Sequence, residues 1–283
     1  MRLIHKSGKQ LLNEVVGTEI QRDSVAFWNL GQAGILIKGR SDDGLVCVDP
    51  YLTASIEDTD PNSEFKRAFP PIMEPEMLAC ADGILLTHAH GDHLDIETIS
   101  GIAKASQQTQ FAVPAPDEGL LGGIVSPEKL VSVRGQERFY LKNFKVTPVP
   151  AAHTEYEVDA NGSHFYFGYF LDVNGIRIYH SGDTVVTPML LEQVRAFQPH
   201  IAFLPINGRD PFRTSRGIVG NMNFREAVDF AVSVGADMFV PIHYDLFPNN
   251  RENPAYMVDY LFQQYPFQKF HMMAPGERFI YYK

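Results

Sequence analysis

Residues 88–93 read His-Ala-His-Gly-Asp-His, four groups able to bind a cation within six residues, directly after the apolar run Ile84-Leu85-Leu86-Thr87. Imidazole and carboxylate groups beside an apolar strand are costly to bury unless something binds them, and divalent metals favour these donors. In an extended segment His88 and His90 lie on one side and face one ion, while Asp92 and His93 turn toward a neighbouring one, with Gly91 allowing the backbone to fold tightly. Further donors are needed to complete two sites. The sequence offers His153 in Pro150-Ala151-Ala152-His153-Thr154, Asp183 in His180-Ser181-Gly182-Asp183-Thr184 and His243 in Val240-Pro241-Ile242-His243-Tyr244. Each alone reads more readily as a loop or cap residue than as a ligand. Their shared position after apolar runs groups them, because strand-end residues from distant parts of a chain can converge on one rim.

The apolar runs themselves predict an α/β fold. Strands are expected at Ser24 to Leu30, Gly34 to Lys38, Leu45 to Asp49 and Gly83 to Thr87, then at about Phe144 to Val149, His164 to Val173, Arg177 to Tyr179, Ile201 to Pro205 and Met238 to Pro241. Helical spacing appears in Asp95 to Ser106, with Asp95 as cap, and in Pro188 to Phe197, Asn223 to Val234 and Asn253 to Tyr265. Two halves that each run from strands to helices predict two sheets packed face to face with helices outside, a four-layer αββα sandwich. The chain has 283 residues, 45% of them hydrophobic and 20% charged, which suits one domain spanning 1–283.

The ordered set Thr87-His88-Ala89-His90-Gly91-Asp92-His93-Leu94, a lone His153, Ser181-Gly182-Asp183-Thr184 and Pro241-Ile242-His243 resembles the metallo-β-lactamase superfamily. That resemblance implies one metal held by His88, His90 and His153, a second by Asp92, His93 and His243, and Asp183 bridging the two. It also implies that Asp49, ending Val46-Cys47-Val48-Asp49, fixes the orientation of a ligand. Asp at 183 and His at 90 set the chain apart from the β-lactamases proper and the diiron flavoproteins of that superfamily. The stretches Phe27-Trp28-Asn29-Leu30-Gly31-Gln32-Ala33-Gly34, Tyr179-His180-Ser181-Gly182-Asp183 and Pro241-Ile242-His243-Tyr244-Asp245 are similar to the L-ascorbate-6-phosphate lactonase family.

The resemblance implies a hydrolase with two divalent ions per chain, zinc or manganese. Paired cations lower the pKa of a shared water toward neutrality, so no Ser or Cys nucleophile is required, and Asp92 and Asp183 are the catalytic carboxylates. His180 reads either as support for a ligand or as a substrate contact. The expected substrate is a small phosphorylated lactone or ester such as L-ascorbate 6-phosphate. Asn207 with Arg209, Arg213 and Arg216, the densest basic cluster, would recognise its anionic group, with a solvated surface loop the competing reading. A phosphodiesterase and a single-iron oxygenase compete as functions.

A formal net charge of −10 disfavours nucleic acid and anionic lipid as partners, leaving the small anionic substrate and further copies of the chain. The first residues lack the uninterrupted apolar run of a signal peptide or membrane anchor, and no later stretch approaches a span. With Cys47 and Cys80 both in apolar settings, buried reduced thiols and a cytoplasmic location are expected.

Overall fold

Alternate residues of β1 (Ser24–Gly31) point to opposite faces, as the pleat requires, and both faces are apolar: Val25 and Phe27 enter one core, Ala26, Trp28 and Leu30 another. A strand buried on both sides needs a layer on each side, and the computed structural model, which describes residues 4–283, supplies them.

The chain runs α1 (Gly8–Gly17), β1, β2 (Gly34–Lys38), β3 (Leu45–Val48), α2 (Ser55–Thr59), β4 (Gly83–Leu85), α3 (Ile96–Ala105), β5 (Gln110–Pro114) and β6 (Leu130–Val133). It continues with β7 (Phe139–Leu141), β8 (Phe144–Pro150), β9 (Phe167–Val173), β10 (Ile176–His180), α4 (Pro188–Phe197), β11 (Ile201–Pro205), α5 (Pro211–Ser215) and α6 (Phe224–Ser233). β12 (Met238–Ile242), α7 (Pro254–Gln264), β13 (Lys269–Phe270) and β14 (Arg278–Tyr282) end it. One seven-stranded sheet has the order β14-β1-β2-β3-β4-β5-β6 and the other β13-β12-β11-β10-β9-β8-β7.

Three apolar cores separate four layers. Leu11, Val15, Ile99 and Ile102 of α1 and α3 cover one sheet through Trp28, Leu36, Ile84 and Phe111. Phe27, Ile35, Val46 and Leu85 meet Phe144, Tyr169, Ile178 and Phe203 between the sheets. Leu190, Val228 and Met257 of α4, α6 and α7 cover Tyr179, Leu204 and Phe239 on the far side. The expected αββα sandwich is the observed fold.

Side chains cap α3, α4 and α6, and Asp95 is the cap expected from the sequence. The Asp95 carboxylate accepts from Glu97 N and Thr98 N at the start of α3, and also from Thr53 and Ser55 at 2.7 and 2.9 Å, so it ties the 53–55 loop to the helix. Thr187 caps α4 ahead of Pro188, and Asn223 with Glu226 forms a capping box on α6.

Some expectations need correction. α1 and β5 to β7 were not anticipated. The strand expected from His164 starts at Phe167, because His164 bridges to Val158 and Phe165 N donates to Glu157 O instead of joining the sheet. Cys47 is buried but Cys80, closing a 3-10 turn, is exposed, so only one of the two thiols matches the expected burial. Among the described residues no helix is long and apolar enough to cross a membrane.

Candidate metal centre

Strand direction explains why distant residues meet. β3 and β4 are parallel, and β1, antiparallel to β2 which is antiparallel to β3, runs the same way. β10, β11 and β12 are parallel, and β8, antiparallel to β9 which is antiparallel to β10, runs with them. The carboxyl ends of β1, β3, β4, β8, β10 and β12 therefore carry, in turn, Gln32, Asp49, residues 88–93, His153, Asp183 and His243. Ligand sites in open α/β sheets form at such strand ends.

Two donor clusters result, His88, His90, His153 and Asp183 in one and Asp92, His93 and His243 in the other, with the donor atoms of each within 4.8 Å of one another. Asp183 faces both: its carboxylate lies 3.5 Å from His153 Nε2, 3.4 Å from His93 Nε2 and 3.2 Å from His243 Nε2. Asp92 Oδ2 is 3.7 Å from His93 Nε2 and 3.4 Å from His243 Nε2. A tetrahedral site with bonds of about 2.0–2.2 Å has ligand-to-ligand edges of roughly 3.3–3.6 Å, and these separations fall around that range. His93 Nε2 and Asp183 Oδ1 are buried with no hydrogen-bond partner, a costly state for polar atoms unless something else binds them. The donor set and its spacing thus fit divalent cations.

Asp49 sets the imidazole tautomers. Its buried carboxylate accepts from Thr87 N at 2.8 Å, Thr87 Oγ1 at 2.6 Å and His93 Nδ1 at 2.8 Å. With the Thr87 proton spent on Asp49, the contact between Thr87 Oγ1 and His88 Nδ1 at 2.9 Å is donated by the ring. With Nδ1 of each ring donating in this way, Nε2 is the nitrogen left to offer a lone pair to a cation. Asp49 is thereby tied to both ends of the segment from Thr87 to His93.

The electrostatics follow from burial and sign. Burial holds His88 well below the usual imidazole range, and the neighbouring His93 adds to this. His153 is pushed down to about 4 by burial, with Asp183 opposing. Burial would lower His243 too, but Asp183 and Asp92 outweigh it and lift it to about 9. His93 is raised well above its usual range for the same reason, by Asp183, Asp92 and Asp49. Burial would raise Asp92 and Asp183, yet the imidazoles beside them hold both carboxylates well below theirs. Without a cation, protons on His93 and His243 balance the two carboxylates, and a cation would displace them.

His180 is fully buried, bonded through Nε2 to Ala33 O at 2.9 Å and accepting from Gly182 N at 3.2 Å. It braces the turn before Asp183 and does not reach the pocket, which removes the substrate-contact reading. Gly91 does not need a glycine-only backbone angle; a Cβ there would approach Ile56 at 3.3 Å. Gly182, at φ +57°, does.

The arginine loop departs most from expectation. Arg209 pairs with Glu226 at 2.7 and 2.8 Å, Arg213 with Asp210 at 2.5 Å, and Arg216 with Glu64. Arg213 also donates to Asn250 Oδ1 at 3.0 Å, and the buried Asn207 donates to the same oxygen at 3.1 Å. All three guanidinium groups are thus engaged in holding the loop to its neighbours. What the loop gives the pocket is its apolar tip.

That pocket is a cleft of about 310 Å³ over the clusters, walled by Ile56, Phe65, Ile218, Val219 and Phe247 with Asn250 the polar group among them. No Lys or Arg lines it among the described residues. Two further residues were not singled out from sequence. Tyr166 lies 5.2 Å from His88, 6.0 Å from His90 and 5.4 Å from His153, ring centre to ring centre. Gln32 donates through Nε2 to Asp92 Oδ2 at 2.6 Å. Neither residue type reads as a metal-site residue in a sequence, though Gln32 sits in the Gly31-Gln32-Ala33-Gly34 turn already noted.

Comparison with known proteins agrees with this geometry. The model of the β-lactamase superfamily domain matches residues 46–244, from β3 to just past His243. A UPF0173 metal-dependent hydrolase of Methanoculleus marisnigri is 29% identical over 196 residues, 65% of this chain and 75% of that protein. A protein of Salmonella paratyphi B described as "Probable L-ascorbate-6-phosphate lactonase" is 24% identical over 281 residues, covering 87% of this chain and 77% of its own length. Among solved structures, an isothiocyanate hydrolase from Delia radicum gut bacteria superposes with a TM-score of 0.69 at 16% identity, over 90% of this chain and 98% of that one.

Proposed function

This chain belongs to the β-lactamase superfamily, and from that premise we propose that it is a metal-dependent hydrolase of a small ester or lactone. His88, His90 and His153 would hold one cation and Asp92, His93 and His243 a second, with the Asp183 carboxylate facing both groups. The observation that carries this is the pair of clusters facing one carboxylate at the floor of a cleft. The names of the relatives, a metal-dependent hydrolase and a lactonase, support the reaction class.

Divalent cations bound there supply Lewis acidity and a water acidic enough to lose its proton near neutral pH. The chain's own groups do the rest. Asp49 and Thr87 keep His88 and His93 in the tautomer that presents Nε2. Asp92, at the pocket floor with its side chain 15% exposed, is placed to accept a proton as water attacks and to return it to the leaving alkoxide. Ile56, Phe65, Ile218, Val219 and Phe247 hold the substrate body and keep bulk water from the reacting atoms.

The sequence anticipated a phosphorylated substrate met by arginines. With each guanidinium engaged by a carboxylate and the wall apolar, we favour an uncharged ester or lactone, and a phosphate would find no cationic side chain in the cleft. A panel of paired substrates with and without a phosphate tests this. A higher kcat/KM for the uncharged partner is expected, and a strict requirement for the phosphate would contradict it. Asp183→Asn should cut kcat by orders of magnitude on any substrate while the fold persists.

A further inference from the structure

Gln32 closes the tight turn between β1 and β2 and has little freedom there. Its backbone sits in the left-handed region at φ 55°, and its carbonyl accepts from His243 N at 2.9 Å, so the turn is pinned to the strand end that carries His243. The side chain is buried, and its amide lies 2.6 Å from Asp92 Oδ2 and 3.0 Å from His243 Nε2. Those two atoms belong to the second cluster. Ligand atoms about 90° apart on bonds of about 2.0–2.2 Å are separated by roughly 2.8–3.1 Å, close to what the amide shows to both.

We propose that the Gln32 side-chain amide is an additional oxygen ligand of the cation held by Asp92, His93 and His243. This rests on the reading that the clusters bind cations. Without a cation, the Gln32 NH₂ donates to Asp92 Oδ2 and lies 3.0 Å from His243 Nε2. A cation would engage both of those atoms, and N–H groups pointing at it meet a like charge. Rotating the amide by half a turn brings Oε1 into the same place at little steric cost, since the two ends are nearly identical in size. The pinned backbone keeps the amide from retreating.

The two sites then differ in kind. The first offers three imidazoles and a shared carboxylate; the second offers two imidazoles, the Asp92 and Asp183 carboxylates and an amide oxygen. More oxygen donors and higher coordination suit manganese or iron(II) better than tetrahedral zinc.

The test is calorimetric titration of the chelator-treated full chain with Mn²⁺, comparing wild type, Gln32→Met and Gln32→Glu. Met matches the length of Gln but offers no oxygen; Glu offers an oxygen but no N–H. Gln32→Met should weaken one of two sites by about 10- to 100-fold and leave the other within a few-fold, while Gln32→Glu binds as tightly as wild type or tighter. If Gln32 only hydrogen-bonds Asp92 through its N–H, Glu would repel Asp92 and lose affinity with Met, which overturns the proposal. An unchanged Gln32→Met overturns it too. A wild-type chain that takes up neither Mn²⁺ nor Zn²⁺ would overturn the cation reading itself, whereas two filled sites indifferent to residue 32 would refute Gln32 alone.

Discussion

Asp49 accepts three hydrogen bonds from two residues of the segment that carries the histidines, one on Oδ1 and two on Oδ2, so both of its oxygens serve as acceptors. Asn at this position keeps one acceptor and turns an NH₂ toward either Thr87 or His93, so one donor faces another. His93 would then move its proton to Nε2, the atom that faces Asp92 and Asp183. Asp49→Asn should weaken cation binding by about 10- to 100-fold with little change in helix or sheet content, measured by Zn²⁺ titration beside circular dichroism. Wild-type affinity would show that Asp49 is not what orients the rings. At this scale the sequence was informative where chemistry is local. His88, His90, Asp92 and His93 declare themselves by crowding, but Gln32 does not, because an amide becomes interesting only when folding brings it to Asp92. The arginines show the converse: their clustering is visible in sequence, whereas Arg209 finds Glu226 and Arg216 finds Glu64 only in the fold.

Among the elements, the turns after the strands matter more than the strands. The turn after β10 delivers Asp183 through Gly182, where a Cβ would lie 2.6 Å from Phe167 O and 2.9 Å from Thr87 Cβ at a backbone angle of +57°. Gly182→Ala therefore combines a left-handed angle with a backbone clash, and Thr87 is the very residue that links Asp49 to His88. A loss of about 1–3 kcal/mol is expected in urea denaturation, together with weakened metal uptake; a variant as stable as wild type would mean the turn has room that its contacts deny. Elements with strong local signals were legible. Ile201–Pro205 and Pro188–Phe197 match residue for residue, and Asp95 caps α3 as the sequence marks. α1 escaped because its buried Leu11 and Val15 are a sparse stripe among polar residues, and β7 because three residues carry little periodicity. β14 pairs with β1 from the other end of the chain, a contact no local pattern announces.

For the whole molecule, the sandwich is a device for setting two unlike half-sites against one another. One sheet contributes Gln32, Asp49 and residues 88–93; the other contributes His153, Asp183 and His243. The core between the sheets, with Phe27 packed on Phe203 at 5.1 Å, fixes their spacing and so the spacing of the donors. Each proposed cation is therefore held by both sheets, and removing one donor from the second sheet should empty one site while sparing the fold. The most direct measurement is the metal content of the chain purified without added metal, by elemental analysis of wild type, His153→Ala and His243→Ala. The account predicts about two divalent cations per chain in wild type and about one in each variant. A wild-type chain with no bound metal, or variants that retain the full wild-type complement, would contradict it.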